Sequence, residues 1–425
     1  MSDARKKTTH VAHESQGRTP KSTDSYPTWW SYWERKYGRT QVTYAHAMET
    51  SYVRIWGELN KLADDWERDK QGLYDGFVVL YMMQLVDRWT LRFGEIDDYA
   101  QMGAYYLSRI ADGCIERMRA AVQSCPSEML GIRDDAYRQG LASVLAEGLL
   151  GKPDHSGMPW FQVYKLLWST WLNDRVLLEQ ERARLRPLAQ DPYQDARKRE
   201  GAIHLLVSLD LVAGEDDNAW ERITTGLRNV ELEAWFPYLT EMAEKQEWER
   251  LQQWLIWLRP YVDKVYLSQE TEMYLELWEK VEEHATAFAE AAYRETLVRL
   301  LPASFWAYEA FLLRREEYRT WADACVMLGH SPLHLQPDVL KRVEKADARL
   351  LLPLYHYAIE KQITAGHREA YKSAVKLLKK LDLLYKKLKA TPQYEEYGAR
   401  LLAQYARHRA FQEELKKGKL FIYHD

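Results

Sequence analysis

Residues 371–388 read Tyr371-Lys-Ser-Ala-Val-Lys-Leu-Leu-Lys-Lys-Leu-Asp-Leu-Leu-Tyr-Lys-Lys-Leu388. At about 100° per residue, Leu377, Leu381, Leu384 and Leu388 fall on one side of a helix, flanked by Leu378 and Tyr385. Lys372, Lys376, Lys379, Lys380, Lys386 and Lys387 fall on the opposite arc. A stripe this apolar must bury against another element, so the segment predicts a helix packed on helices. Thr391–Pro392 then stops it and opens another, with Thr391 expected as the cap and Pro392 at the first helical position.

The same period extends through the chain. Beyond about residue 194, apolar helices end in short polar turns and an aromatic residue opens the next helix. The openings are Asn218-Ala-Trp220, Glu247-Trp248, Glu317-Tyr318-Arg-Thr-Trp321 and Arg368-Glu-Ala-Tyr371. Each places a ring in a first turn, where it can fill the elbow between paired helices. Nearer the N-terminus, Tyr44, Met48, Ile55, Trp56, Leu59, Leu62 and Trp66 mark one long helix over 40–68, with Gly72 as its punctuation. A uniformly apolar helix is expected over Leu73 to Phe93, and further helices over 97–123, 134–150, 160–186 and 194–213. Cys125–Pro126, residues 151–159, Pro187 and Asp191–Pro192 are the breakers between them. Alternating β-branched stretches are missing, so no strand is predicted.

These patterns predict an all-α chain. Its architecture is either a helical-hairpin repeat array, a degenerate relative of tetratricopeptide arrays, or an irregular helical bundle. Residues 1–27 are polar and lack an apolar period, which predicts a disordered tail, with His10 and His13 solvated. A helical domain is expected over 28–190 and a helical-repeat region with a basic end over 191–425.

Composition restricts function. The chain of 425 residues carries a net charge of −4, which argues against a general nucleic-acid coat but not against a local basic face. Residues 361–425 hold fifteen Lys/Arg against seven Asp/Glu, a net of +8, so the remainder is strongly acidic. Three unpatterned cysteines, Cys114, Cys125 and Cys325, fit a reducing compartment. With no signal-peptide core, and with Phe77 to Val86 too short to span a bilayer, cytoplasm is the expected location. The 17 Trp and 28 Tyr stand against only 9 Phe, and they are expected chiefly as bulky wedges between helices.

Motifs for chemistry are missing. There is no phosphate loop, no nucleotide-binding G-x-G-x-x-G, no G-x-S-x-G elbow and no H-E-x-x-H. Paired carboxylates such as Asp64–Asp65, Asp97–Asp98 and Glu282–Glu283 read as solvated polar faces. Cys325, His330 and His334 lie within ten residues, but no fourth ligand stands nearby and Pro332 splits them, so they read as structural. No enzyme activity, cofactor, metal or small-molecule substrate is expected. The lysine arc reads in three ways: a strip that neutralises phosphates without reading sequence, a solvated face, or a surface docked on the chain's own acidic part.

The last 130 or so positions resemble a known family. Ser304-Phe-Trp-Ala-Tyr308, Tyr318-Arg-Thr-Trp321, Leu351-Leu-Pro-Leu-Tyr-His356, Tyr371-Lys-Ser-Ala-Val-Lys-Leu-Leu-Lys-Lys-Leu381, Leu384-Tyr-Lys-Lys-Leu-Lys389 and Arg409-Ala-Phe-Gln-Glu-Glu-Leu-Lys-Lys-Gly-Lys-Leu420 carry the likeness. Together they resemble the C-terminal helical region of bacterial SWIM zinc finger family proteins, and 160–262 fits the same region less specifically. The resemblance implies association with Swi/Snf-type helicases and with DNA. The family's zinc ligands, ordered C-x-C then C-x-H, do not occur here, so no ligand residue carries over. A SWIM domain would have been lost or would lie on a separate chain. The expected role is a non-catalytic accessory or scaffold protein docking DNA-remodelling machinery, with non-specific nucleic-acid contact. The alternative is a helical-repeat adaptor that binds protein only.

Overall fold

Asp174 and Asp195 each start a helix by accepting two backbone N–H groups, from Val176 and Leu177 and from Arg197 and Lys198, respectively. These donors have no partner inside the helix, so a short acidic side chain in the cap fixes where the helix begins. The computed structural model describes residues 18–42, 44–91, 100–127, 135–150, 157–284 and 287–421, and among them all regular structure is helical. None of these helices is long and apolar enough to cross a membrane.

Two compact units form, Met1–Val230 and Glu231–Asp425. In the first, α1 (Tyr26–Tyr37), α2 (Ala45–Asn60), α4 (Ala100–Ser124) and α5 (Asp135–Leu150) pack around α3 (Arg68–Thr90). α3 is buried on nearly every side from Gly72 to Trp89, as its unbroken apolar sequence predicts. α6 (Trp160–Trp168) lies on α4 and α5, and α7 (Arg175–Gln190), α8 (Ala196–Ala213) and α9 (Asp216–Gly226) complete the unit.

Several boundaries differ from the sequence reading. The helix expected over 40–68 stops at Asn60, and residues 61–67 form turns. Tyr44 caps α2 and is exposed. Gly72 does not punctuate; it lies inside α3, where an added Cβ would meet Ser124 and Cys125 of the α4 end. Gly76, one turn on, leaves room for the Trp171 ring at 2.6 Å from the position a Cβ would take. Both glycines serve close approach, which outweighs their helix-weakening entropy. Pro187 sits in the last turn of α7, where its missing N–H costs one bond, and the true break is Ser169–Asp174. The unit boundary falls after α9, later than residue 190, because α7 packs along α8 across Asp191–Pro192.

Residues 1–17, with His10 and His13, lie outside the described residues, as do Asp97 and Asp98. Residues 18–27, expected to be disordered, are ordered. Trp29 Nε1 donates to the Lys21 carbonyl (3.0 Å), the Tyr137 hydroxyl donates to the Asp24 carbonyl (2.7 Å), and Arg18 pairs with the Asp24 carboxylate.

Those bonds show why Trp and Tyr dominate over Phe. A ring fills the gap between helices and its polar tip donates to a backbone carbonyl of a neighbouring segment. Trp89 reaches Thr40 (3.0 Å), Trp171 reaches Cys125 (2.6 Å), Tyr81 reaches Trp33 (3.0 Å) and Tyr74 reaches Leu59 (3.1 Å). Phenylalanine would fill the same space without donating any of these bonds. The wedge expectation is met by the largest side chains of the core, which are almost all indoles.

Two charged groups inside the first unit behave differently. Asp210 of α8 is fully buried between Arg182 of α7 (2.8 Å) and Arg222 of α9 (2.6 Å), and Arg182 also binds Glu215 (2.9 Å). Asp75 of α3 has a buried carboxylate oxygen with no hydrogen-bond partner among the described residues. Burial, with Asp64 adding repulsion, pushes its pKa up to about 7. Above the unfolded carboxylate range the unfolded chain releases this proton while the folded chain holds it. Stability therefore falls as pH rises from about 4 to about 7. Asp75→Asn mimics the protonated acid. It should raise the stability of the full chain at pH 8 by about 1–2 kcal/mol after allowing for solvent contact, and change nothing near pH 4. Thermal melts at the two pH values check this; an equal gain at both would refute the titration.

The second unit contains α10 (Phe236–Glu244), α11 (Trp248–Leu258), α12 (Gln269–His284), α13 (Ala287–Arg299), α14 (Phe305–Arg314), α15 (Tyr318–Met327), α16 (Pro337–Asp347), α17 (Leu352–Thr364), α18 (Arg368–Lys387), α19 (Thr391–Gln404) and α20 (Arg409–Lys417). Its principal packings join helices one or two places apart in sequence, with α17 and α18 the most extensive pair. Of the aromatic openings, Trp321 and Tyr371 are buried as wedges, while Trp248 is half-buried and stacks on His284 at 4.5 Å.

Candidate functional site

Gly366, at φ +76°, ends α17 in the left-handed conformation, and the His367 ring accepts the Ala370 N–H at 3.2 Å to start α18. α18 then lays Ala374, Leu377, Leu378, Leu381 and Leu384 into the core. Leu388, expected on this stripe, is the cap residue and only half-buried. Lys389 turns left-handed at φ +55°, and the Ala390 N–H bonds back to the Tyr385 carbonyl at 2.9 Å. That turn makes Ala390 the cap of α19 and puts Thr391 inside the helix, one residue earlier than the sequence suggests.

The opposite face of α18 carries all six lysines, exposed. Lys372 pairs with Glu369 (2.7 Å), Lys386 with Asp382 (2.7 Å) and Lys387 with Glu344 of α16 (2.9 Å). The Lys372 ammonium holds the Glu369 carboxyl below its usual range. Lys376, Lys379 and Lys380 have no acidic partner among the described residues. Their neighbourhood includes Leu383, which is 64% exposed and lies on the lysine arc by its helical angle.

Behind this face, His356 of α17 ties three helices together. Its Nε2 lies 2.9 Å from the Tyr385 hydroxyl of α18, and Tyr397 of α19 meets its ring edge-on at 4.3 Å. Burial, and the Arg400 guanidinium, push its pKa down to about 4, so the ring is neutral at physiological pH and serves packing.

His330 and His334 line one cleft, and Cys325 lies in the core away from it. Cys325 is fully buried and burial pushes its thiol up to about 12, which removes thiolate character. His330 stacks on Phe305 at 3.9 Å. Among the described residues, no group of three or more His, Cys, Asp or Glu is placed to hold a metal ion. Of the paired acids, Asp64 and Asp65 are exposed, and Glu282 binds Arg314 and Arg315.

No family model matches the sequence, and no solved structure matches it. The chain is similar to "Uncharacterized protein YwqB" of Bacillus subtilis (strain 168), with 32% identity over 194 residues. The match covers 44% of this chain and 36% of that protein, so the chain spans well under two thirds of the relative's length.

Proposed function

We propose that this chain is a non-catalytic accessory protein that docks DNA-remodelling machinery of the Swi/Snf-helicase type and touches nucleic acid without reading its sequence. The supporting observation is the set of three exposed ammonium groups, Lys376, Lys379 and Lys380, on one face of α18, which have no acidic partner among the described residues. Lysines one turn apart can follow a phosphate backbone, and they lack the rigid donor fork that reads base edges. The likeness of residues 304–420 to the helical region of SWIM zinc finger proteins supports the choice of partner. A helicase or a separate SWIM-containing chain would fill that role.

A second reading, a protein-only adaptor, is favoured by one feature. Leu383 is exposed among the lysines, and an apolar residue ringed by cations suits an acidic protein surface better than a phosphate backbone. Co-purification separates partner from nucleic acid. The tagged full chain should recover a Swi/Snf-type helicase from nuclease-treated extract; recovery that vanishes with nuclease, or fails outright, would sink the docking proposal.

A further inference from the structure

Outside the lysine face, a cleft in the second unit has a chemistry that points to a ligand. It has a volume of about 190 Å³ and is lined by Gly329, His330, Ser331, His334, Lys361 and Gln362 with Ala358. Gly329, at φ +71°, turns the chain after α15 so that its carbonyl accepts from Lys361 Nζ at 3.1 Å. A Cβ at Gly329 would stand 3.0 Å from that ammonium and 3.3 Å from the Tyr357 hydroxyl, so the glycine is what admits both groups. The lining therefore combines one ammonium with imidazole, hydroxyl and amide groups, and includes no carboxylate. Lys361 has no acidic partner among the described residues, and burial, with the Lys361 charge adding to it, keeps His330 below its usual pKa.

Two exposed rings flank this donor set. Trp306 is 50% exposed and lies 6.0 Å from the His330 ring, which is held in place by stacking on Phe305. Tyr357 is 41% exposed, with Lys361 over its ring at 5.9 Å. A single ammonium matches a single negative charge. A phosphate-bearing strand would call for several cations along a track, and the cleft supplies one. Flanking rings suit an apolar side chain next to the anion.

We propose that this cleft seats an Asp or Glu carboxylate of a protein partner, with an adjacent apolar side chain of the same segment against Trp306 or Tyr357. The inference rests on the docking reading for the existence of a protein partner. Its test depends on neither binding at the lysine face nor a helicase, so the two can fail separately. Short random peptides displayed on phage are selected on the immobilised full chain. The enriched pool should carry Asp or Glu beside an aromatic or branched aliphatic residue. A synthetic peptide from it should bind about tenfold or more weakly to Lys361→Met, recover with Lys361→Arg, and weaken on Trp306→Ala, which leaves the Gly329–Lys361 bond intact. The Lys376→Glu, Lys379→Glu, Lys380→Glu triple variant should bind it as the wild type does. No enrichment, enrichment without acidic residues, or equal binding to Lys361→Met and Trp306→Ala would overturn the proposal. Displacement of the peptide by oligothymidine would assign the cleft to nucleic acid and also overturn it.

Discussion

Glutamate at Lys376, Lys379 and Lys380 together is expected to abolish binding of the full chain to duplex DNA, while glutamine at Lys372, Lys386 and Lys387 leaves most of it. The six lysines share one helix face, so a purely local argument would treat them alike. The structure separates them. Three are already neutralised by Glu369, Asp382 and Glu344, and three are not. Binding through three phosphates releases counterions with a slope of about −2.7 in log K against log salt, and six would give about −5.4. Raising salt from about 50 to about 200 mM should therefore weaken wild-type binding about 40-fold. A fluorescence-anisotropy titration at several salt concentrations measures both numbers. No binding at low salt, or a triple variant that binds like the wild type, would leave the protein-only adaptor as the standing account.

The other large effect concerns Asp210→Ala. Removing this carboxylate leaves Arg222 without its 2.6 Å partner and Arg182 with only Glu179 and the half-exposed Glu215, in a place water does not reach freely. Breaking a buried pair from one side costs about 3–5 kcal/mol, since the guanidiniums keep their desolvation penalty and lose their compensation. Three helices meet there, so amide hydrogen exchange of the full chain should show lost protection across α7, α8 and α9 together. A change below about 1 kcal/mol in urea unfolding would mean that solvent screens the cluster. Asp210→Asn, which keeps the shape and one acceptor, should fall between the two.

The all-α architecture was legible because burial imposes a period of 3.6 on the sequence, and that period survives wherever a face meets the core. The same robustness explains the misreading of 40–68. Trp66 packs on Trp29 and Tyr74 from within a turn, so its side chain keeps step with α2 although the hydrogen-bond ladder has stopped. Gly72 and Pro187 misled for the opposite reason. Their punctuation value is local, and tertiary packing overrode it. At the lysine face, two of the three pairings follow helical spacing, Glu369 with Lys372 and Asp382 with Lys386, and a sequence reading can find them. The Lys387–Glu344 pair bridges helices far apart in the chain, and the cleft at Gly329 is built from α17 and the segment after α15, so neither leaves a local signature.

The near-neighbour packing of the second unit bears on how it is made. Bringing together helices only a short loop apart costs little closure entropy, whereas pairing distant segments would demand a long search. As a nascent chain leaves the ribosome, each hairpin from α10 onward can dock on the one before it without waiting for the C-terminus. Its many indoles are then covered in the order in which they are synthesised, which shortens the time that sticky surface stands open to other chains.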